Sequence, residues 1–131
     1  MSTLFSKIVK GEIPSYKVAE TKDFYAFLDI HPLTKGHTLV IPKKEVDYIF
    51  DLDNETYAGL QLFAKIVAEA IKKAIPCERV GVCVIGLEVP HAHIHLIPFN
   101  TMDEMNFSNP KLKLDKDEME QIAKSIALNL A

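Results

Sequence analysis

The segment His91-Ala92-His93-Ile94-His95-Leu96-Ile97-Pro98 constrains the fold more than any other stretch of this chain. In a β-strand, side chains at i, i+2 and i+4 share one face. The alternation predicts a strand over 91–98, ended by Pro98, with three imidazoles on one face and Ala92, Ile94 and Leu96 on the other. The apolar face requires a core to cover it. The imidazole face requires partners, because unpaired polar rings are costly to bury.

The rest of the chain supplies a sheet and its cover. Tyr16–Glu20 alternates, Phe24–Ile30 is aromatic and apolar, and polar residues 21–23 join them, which predicts a hairpin. After the loop 31–36, His37–Pro42 reads as a third strand, and Arg79–Ile85 as a fourth. Leu4, Phe5, Ile8 and Val9 predict a short opening helix, closed by Gly11 and Pro14. Leu60, Phe63, Ala64, Val67, Ala70, Ile71 and Ala74 recur at steps of three and four. That stripe predicts a long helix, capped by Asp53, favoured by Glu55 in its first turn and stopped by Pro76. Asn106–Lys111 reads as an irregular linker. Asp115 and Glu118 form a capping pair for a last helix, buried through Met119, Ile122, Ala123, Ile126 and Leu130. Strands come in consecutive runs rather than alternating with helices, so the expected class is α+β with an antiparallel sheet.

At 131 residues, 48% of them apolar and 25% charged, one domain over 1–131 is expected. Its core would span about 4–98, with 99–131 as a linker and a helix. Eighteen acids against fifteen bases leave a net charge of −3. That balance argues against nucleic-acid binding by bulk charge. The longest run without Asp, Glu, Lys or Arg, Val89–Met102, is too short to cross a bilayer, so no membrane partner is expected. The opening MSTLFSKIVKGE has no apolar run of the secretory kind, and a cytoplasmic location is expected. Cys77 and Cys83 are expected to be free thiols.

Two chemistries suit the imidazole row. Zinc takes imidazole nitrogen at about 2.0–2.1 Å. Neighbours in the row stand about 6.6 Å apart along a strand, so His91 and His93 can share an ion, but the outer pair at about 13 Å cannot join without distortion. No second cluster of His and Cys supplies the missing ligands. Phosphate fits better, because a row of imidazoles can follow an extended polyanion. One neutral imidazole attacks phosphorus while its other nitrogen donates to a fixed acceptor. The flanking rings donate to phosphoryl oxygens as negative charge develops. His93, flanked on both sides, is the natural nucleophile.

HAHIHLI resembles the His-x-His-x-His-x-x signature of the histidine triad family. LFSKIVKGEIPSYKV resembles that family's opening helix and turn, and AFLDIHPLTKGHTLVIPKKEV its second and third strands with their loop. The blocks occur in the family's order over residues 4–98 and are most similar to the nucleotide-binding branch called Hint. The resemblance implies a homodimer in which each protomer supplies a five-stranded antiparallel sheet with a long helix on it. It implies hydrolysis or transfer of a purine nucleotide at the α-phosphate through a nucleotidyl-histidine, without a cofactor or catalytic metal. The nucleophile then falls on His93, with His91, His95 and His37 around the phosphates. Asp29 matches the carboxylate that accepts from the ribose hydroxyls. Phe5, Ile8, Phe27, Leu28, Ile30 and Val89 match the walls of the nucleotide pocket. His31 receives no role, and Lys43 and Lys44 could attract phosphate but read as a solvated face.

The departures lie just before the triad. The family commonly carries an Asn and a Gly-rich polar loop there, whereas this chain has Val84-Ile85-Gly86-Leu87-Glu88-Val89-Pro90. Glu88, in the nucleotide pocket, is expected to alter the leaving-group preference, by repelling a phosphate, by pairing with a triad histidine, or by acting as an acid when itself protonated. The cysteines that hold a structural zinc in some members are absent from Phe5-Ser6-Lys7-Ile8, so no structural zinc is expected. A sister activity, hydrolysis of dinucleoside polyphosphates, and nucleotide binding with little catalysis are the alternatives.

Overall fold

The computed structural model describes residues 2–130. Its elements are α1 (Leu4–Val9), β1 (Lys17–Glu20), β2 (Phe24–Leu28), β3 (Thr38–Pro42), α2 (Asn54–Ala74), β4 (Arg79–Cys83), β5 (Ile94–Phe99) and α3 (Lys116–Leu128). Short 3₁₀ turns lie at Ile49–Asp51 and Met102–Met105. The strands form one antiparallel sheet in the order β1-β2-β3-β5-β4. The α+β class, the five-stranded sheet, the long helix and the last helix are as the sequence predicts.

The two faces of the sheet are covered differently. Val18, Ala26, Leu28, Val40, Ile94 and Leu96 face α2 and α3 and join their apolar stripes in one core. α2 begins where the Asp53 carboxylate accepts from the Thr56 N–H at 3.2 Å. It buries Leu60, Phe63, Ala64, Val67, Ala70 and Ile71. Of these, Leu60, Phe63, Val67 and Ile71 contribute about 1.5–3 kcal/mol each when fully buried. α3 is capped in the same way by Asp115, whose carboxylate accepts from the Glu118 N–H at 2.8 Å. It adds Met119, Ile122, Ala123 and Ile126 to the same cluster.

The opposite face is smaller. There Tyr25, Phe27, Leu39 and Ile41 pack with Phe5 and Ile8 of α1. Because α1 is only six residues long, it covers part of this face and leaves a cavity beside it. Register decides what looks into the opening. Phe27 pairs with Leu39, and Leu39 with His95, so these three form a row across β2, β3 and β5.

The strand ends differ from the sequence reading, and each difference has a local cause. β5 starts at Ile94 rather than His91, because the ladder to β3 ends at Val40–Ile94. The Ala92 N–H turns away to donate to the Val46 carbonyl at 2.7 Å. His91 and His93 therefore lie on the lead-in, and only His95 lies on the strand. β2 stops at Leu28 because the Asp29 carboxylate accepts from the His31 N–H at 2.9 Å and bends the chain. β1 begins at Lys17, β3 at Thr38, and β4 ends at Cys83. Gly86 follows at φ 76°, a conformation that favours glycine. Leu130 lies beyond the end of α3 but still packs on the core. Cys77 and Cys83 are free thiols. Among the described residues, no helix is long and apolar enough to cross a membrane.

Candidate active site

A cavity of about 570 Å³ opens between α1, the ends of β2 and β5, and the loop after β4. Phe5, Ile8, Phe27, Leu28 and Asp29 line it, together with Ile30, His37, Glu88, Val89, His93 and His95. The sequence-named site residues thus converge from four separate segments, with one exception. His91 lies behind the wall and is fully buried.

The four buried imidazoles are fixed by groups whose hydrogen-bonding role admits no choice. A backbone N–H can only donate and a carbonyl can only accept. The Leu33 N–H donates to Nδ1 of His37 at 3.0 Å, so that nitrogen carries the lone pair and the proton sits on Nε2. Nε2–H of His37 then donates to Nδ1 of His95 at 3.0 Å. His95 is left with its proton on Nε2. A second chain starts at His91, where Nε2–H donates to the Pro42 carbonyl at 2.8 Å. Its Nδ1 therefore accepts from the Thr3 hydroxyl, 2.8 Å away. The His91 carbonyl in turn accepts from Nδ1–H of His93 at 2.7 Å. In the neutral tautomer that this bond selects, the unshared pair of His93 is on Nε2.

Burial disfavours the charged form of His37, His95 and His91. It pushes His37 down from 6.5 to about 3, with help from the nearby His95 and Lys111. It pushes His95 down from 6.5 to about 4, with help from His93. His91 is also lowered by burial, against the pull of its bond to Pro42 and of Glu45. Burial raises Asp29, opposed by its bond from the His31 N–H. Nε2 of His37 lies 3.6 Å from Asp29 Oδ2, but with a neutral imidazole this contact is no ion pair.

Aromatic edges hold the rings in place. Phe5 meets His93 edge-on with centroids 5.1 Å apart, and His91 at 5.8 Å. His93 meets His95 at 5.0 Å. α1, which carries Phe5, is fastened by Glu45. Oε1 of Glu45 accepts from the Thr3 N–H at 2.9 Å and from the Ser6 hydroxyl at 2.6 Å.

The site offers a metal little. Ligand atoms of Asp29, His37 and His95 lie within 4.8 Å of one another. Yet Nε2 of His37 bears a proton as long as Leu33 donates to Nδ1, and a protonated nitrogen is no ligand. His91 has both nitrogens engaged, so an ion shared by His91 and His93 would have to displace its bond to Thr3 or to Pro42.

Several lining or supporting residues escape the sequence reading. Thr3 and Glu45 act from outside the cavity, and Phe107 and Lys111 reach it from what reads as a linker. The isolated aromatic of Phe107 in a polar stretch was the one available signal.

Known proteins are similar to this chain in sequence and in fold. The model of the HIT domain matches residues 10–102. An uncharacterized HIT-like protein of Borreliella burgdorferi is 34% identical over 135 residues, with 97% of each chain covered. The adenosine 5′-monophosphoramidase of Schizosaccharomyces pombe is 43% identical over 103 residues, covering 75% of this chain and 74% of that protein. Among solved structures, a Hit-like protein involved in cell-cycle regulation from Bartonella henselae superposes with a TM-score of 0.85 at 33% identity, over 98% of this chain and 97% of that one. The matched span runs from the end of α1 through β5 and takes in the whole sheet, α2 and the histidine row, and on these grounds the chain belongs to the HIT domain family.

Proposed function

We propose that this protein hydrolyses nucleoside phosphoramidates, or closely related nucleotides, at the α-phosphate through a nucleotidyl-His93 intermediate. The carrying observation is the 2.7 Å bond from Nδ1–H of His93 to the His91 carbonyl, which orients the ring and makes Nε2 the nitrogen available for attack. Nε2 attacks the α-phosphorus, the bond from phosphorus to the leaving nitrogen breaks, and the departing amine takes up a proton. Water then attacks the same phosphorus, breaks the bond to His93 and releases the nucleoside monophosphate. Nε2–H of His95, set by the relay from Leu33 and His37, donates to the phosphoryl oxygen as charge develops. His91 acts from behind, holding His93 through its carbonyl. Asp29 receives the ribose hydroxyls. The base lies among Phe5, Ile8, Phe27, Leu28, Ile30 and Val89. Glu88, exposed on the rim, bears on the choice of leaving group. The relative of known activity in Schizosaccharomyces pombe supports the substrate class.

A homodimer in the cytoplasm belongs to the same reading. Its support is β4, which lies at the sheet edge with Val82 exposed and runs on into exposed Val84 and Ile85. An apolar edge strand of this kind invites pairing.

The test is release of AMP from adenosine 5′-phosphoramidate by the wild type and by His93→Ala, without added metal. Turnover confined to the wild type, with AMP binding retained in the variant, is expected. Full turnover by His93→Ala removes the mechanism. Activity confined to diadenosine polyphosphates removes the phosphoramidate assignment and keeps the nucleophile.

A further inference from the structure

The segment 106–112, between the 3₁₀ turn after β5 and α3, runs along the cavity rather than away from it. Phe107 sets its ring edge-on to His95 with centroids 5.0 Å apart, and to His37 at 6.2 Å. At the far end, the Leu112 N–H donates to the Pro32 carbonyl at 2.9 Å, tying the segment to the loop between Asp29 and His37. In between the segment is ordered by its own polar groups. Asn106 Oδ1 accepts from the Ser108 N–H at 2.9 Å, and the Asn109 side-chain amide donates to the Asp103 carbonyl at 2.7 Å. The Lys111 ammonium donates to the carbonyls of Phe107 and Asn109, closing the loop around itself. An ammonium has three donors, so one remains for a ligand.

Charge gives this lysine its significance. Two carboxylates line the cavity, Asp29 and Glu88, and Lys111 is the one lysine or arginine among the lining residues. His37 and His95 are neutral near pH 7. No ion pair among the described residues engages Lys111. A nucleotide phosphate carries at least one negative charge into this setting, and like charges on the wall oppose it. We propose that Lys111 is the cation that reads the substrate phosphate, and that the segment 106–112 sets the preference for a phosphorylated nucleoside over a bare one. Phe107 serves the same end by covering the hydrogen-bonded pair His37 and His95 against water. This rests on the nucleotide reading of the cavity.

The experiment is equilibrium binding of AMP and of adenosine to the wild type, Lys111→Met and Lys111→Arg, at two salt concentrations. Lys111 is exposed, so its replacement leaves the core intact. The methionine variant should lose roughly fivefold or more in AMP affinity, with adenosine unchanged and the salt dependence of AMP binding flattened. Arginine should restore AMP binding. If the wild type prefers AMP and Lys111→Met keeps that preference, this proposal falls and the nucleotide reading stands. If the wild type binds neither ligand, the nucleotide reading falls and takes this proposal with it.

Discussion

Nε2 of His37 lies 3.0 Å from Nδ1 of His95, and the proton between them belongs to His37. The assignment follows from the Leu33 N–H, which occupies the other nitrogen of His37. His95 is thereby compelled to present Nε2–H toward the cavity. His37→Phe keeps the ring volume and removes the relay. It should lower kcat on the order of a hundredfold, the scale of losing one oriented donor, with KM changed far less. Steady-state kinetics on adenosine 5′-phosphoramidate decides it, and an unchanged kcat would show that His95 needs no relay.

The same pair sets an acid limit on stability. His37 titrates at about 3 and His95 at about 4 in the fold, against 6.5 for each when unfolded. Between these values and 6.5 the unfolded chain binds more protons, so stability falls as pH drops through that window and is level above it. Asp29, raised by burial, works in the opposite sense and offsets part of the loss. Thermal melts from pH 7 to pH 4 should show a steep fall in Tm. His37→Phe should show a shallower one. Parallel slopes would mean that other groups carry the acid sensitivity.

The sheet, the long helix and the histidine row were legible because each depends on a local pattern, whereas Asp29, His37 and the apolar walls were named only through the family resemblance. The stripe from Leu60 to Ile71 has helical spacing, Asp53 is a cap by type and place, and the alternation through His95 has the period of a strand. What was not legible depends on groups distant in sequence. His91 leaves the strand because Ala92 bonds to Val46, and no periodicity records that. His91 supports His93 through a carbonyl, which every residue possesses and no sequence pattern marks. Glu45 and Thr3 are 42 positions apart and read as ordinary surface residues until the fold brings them together. Lys111 reads as one more lysine in a polar linker until the chain returns past Pro32.

Glu45 should matter to binding more than to chemistry. Its carboxylate holds α1 through Thr3 and Ser6, and α1 carries Phe5 and Ile8 into the cavity. Glu45→Ala should therefore raise the KM for nucleotides several-fold, with a smaller effect on kcat. Glu45→Gln retains an oxygen that can accept both bonds and should restore most of the affinity. Equal behaviour of the alanine and glutamine variants would show that the charge, and not the hydrogen bonds, is what fastens the helix.

Gly36, immediately before His37, has φ 97°, a region that side chains with a β-carbon rarely enter. A β-carbon there would also stand 3.0 Å from Ile75 Cγ1 and 3.2 Å from Pro98 Cγ. Gly36→Ala therefore combines backbone strain with crowding and should cost about 1–3 kcal/mol of stability. The relief available to the chain is a shift of the adjoining residue, and that residue is His37. Its N–H and carbonyl are bonded to Thr34 and Asp29 at 3.1 and 3.0 Å, so a shift there moves the ring out of line with His95. Chemical denaturation should report the loss of stability, and kcat should fall in the same direction as in His37→Phe. A Gly36→Ala variant that unfolds at the wild-type midpoint and turns over at the wild-type rate would show that this turn has room the geometry denies it.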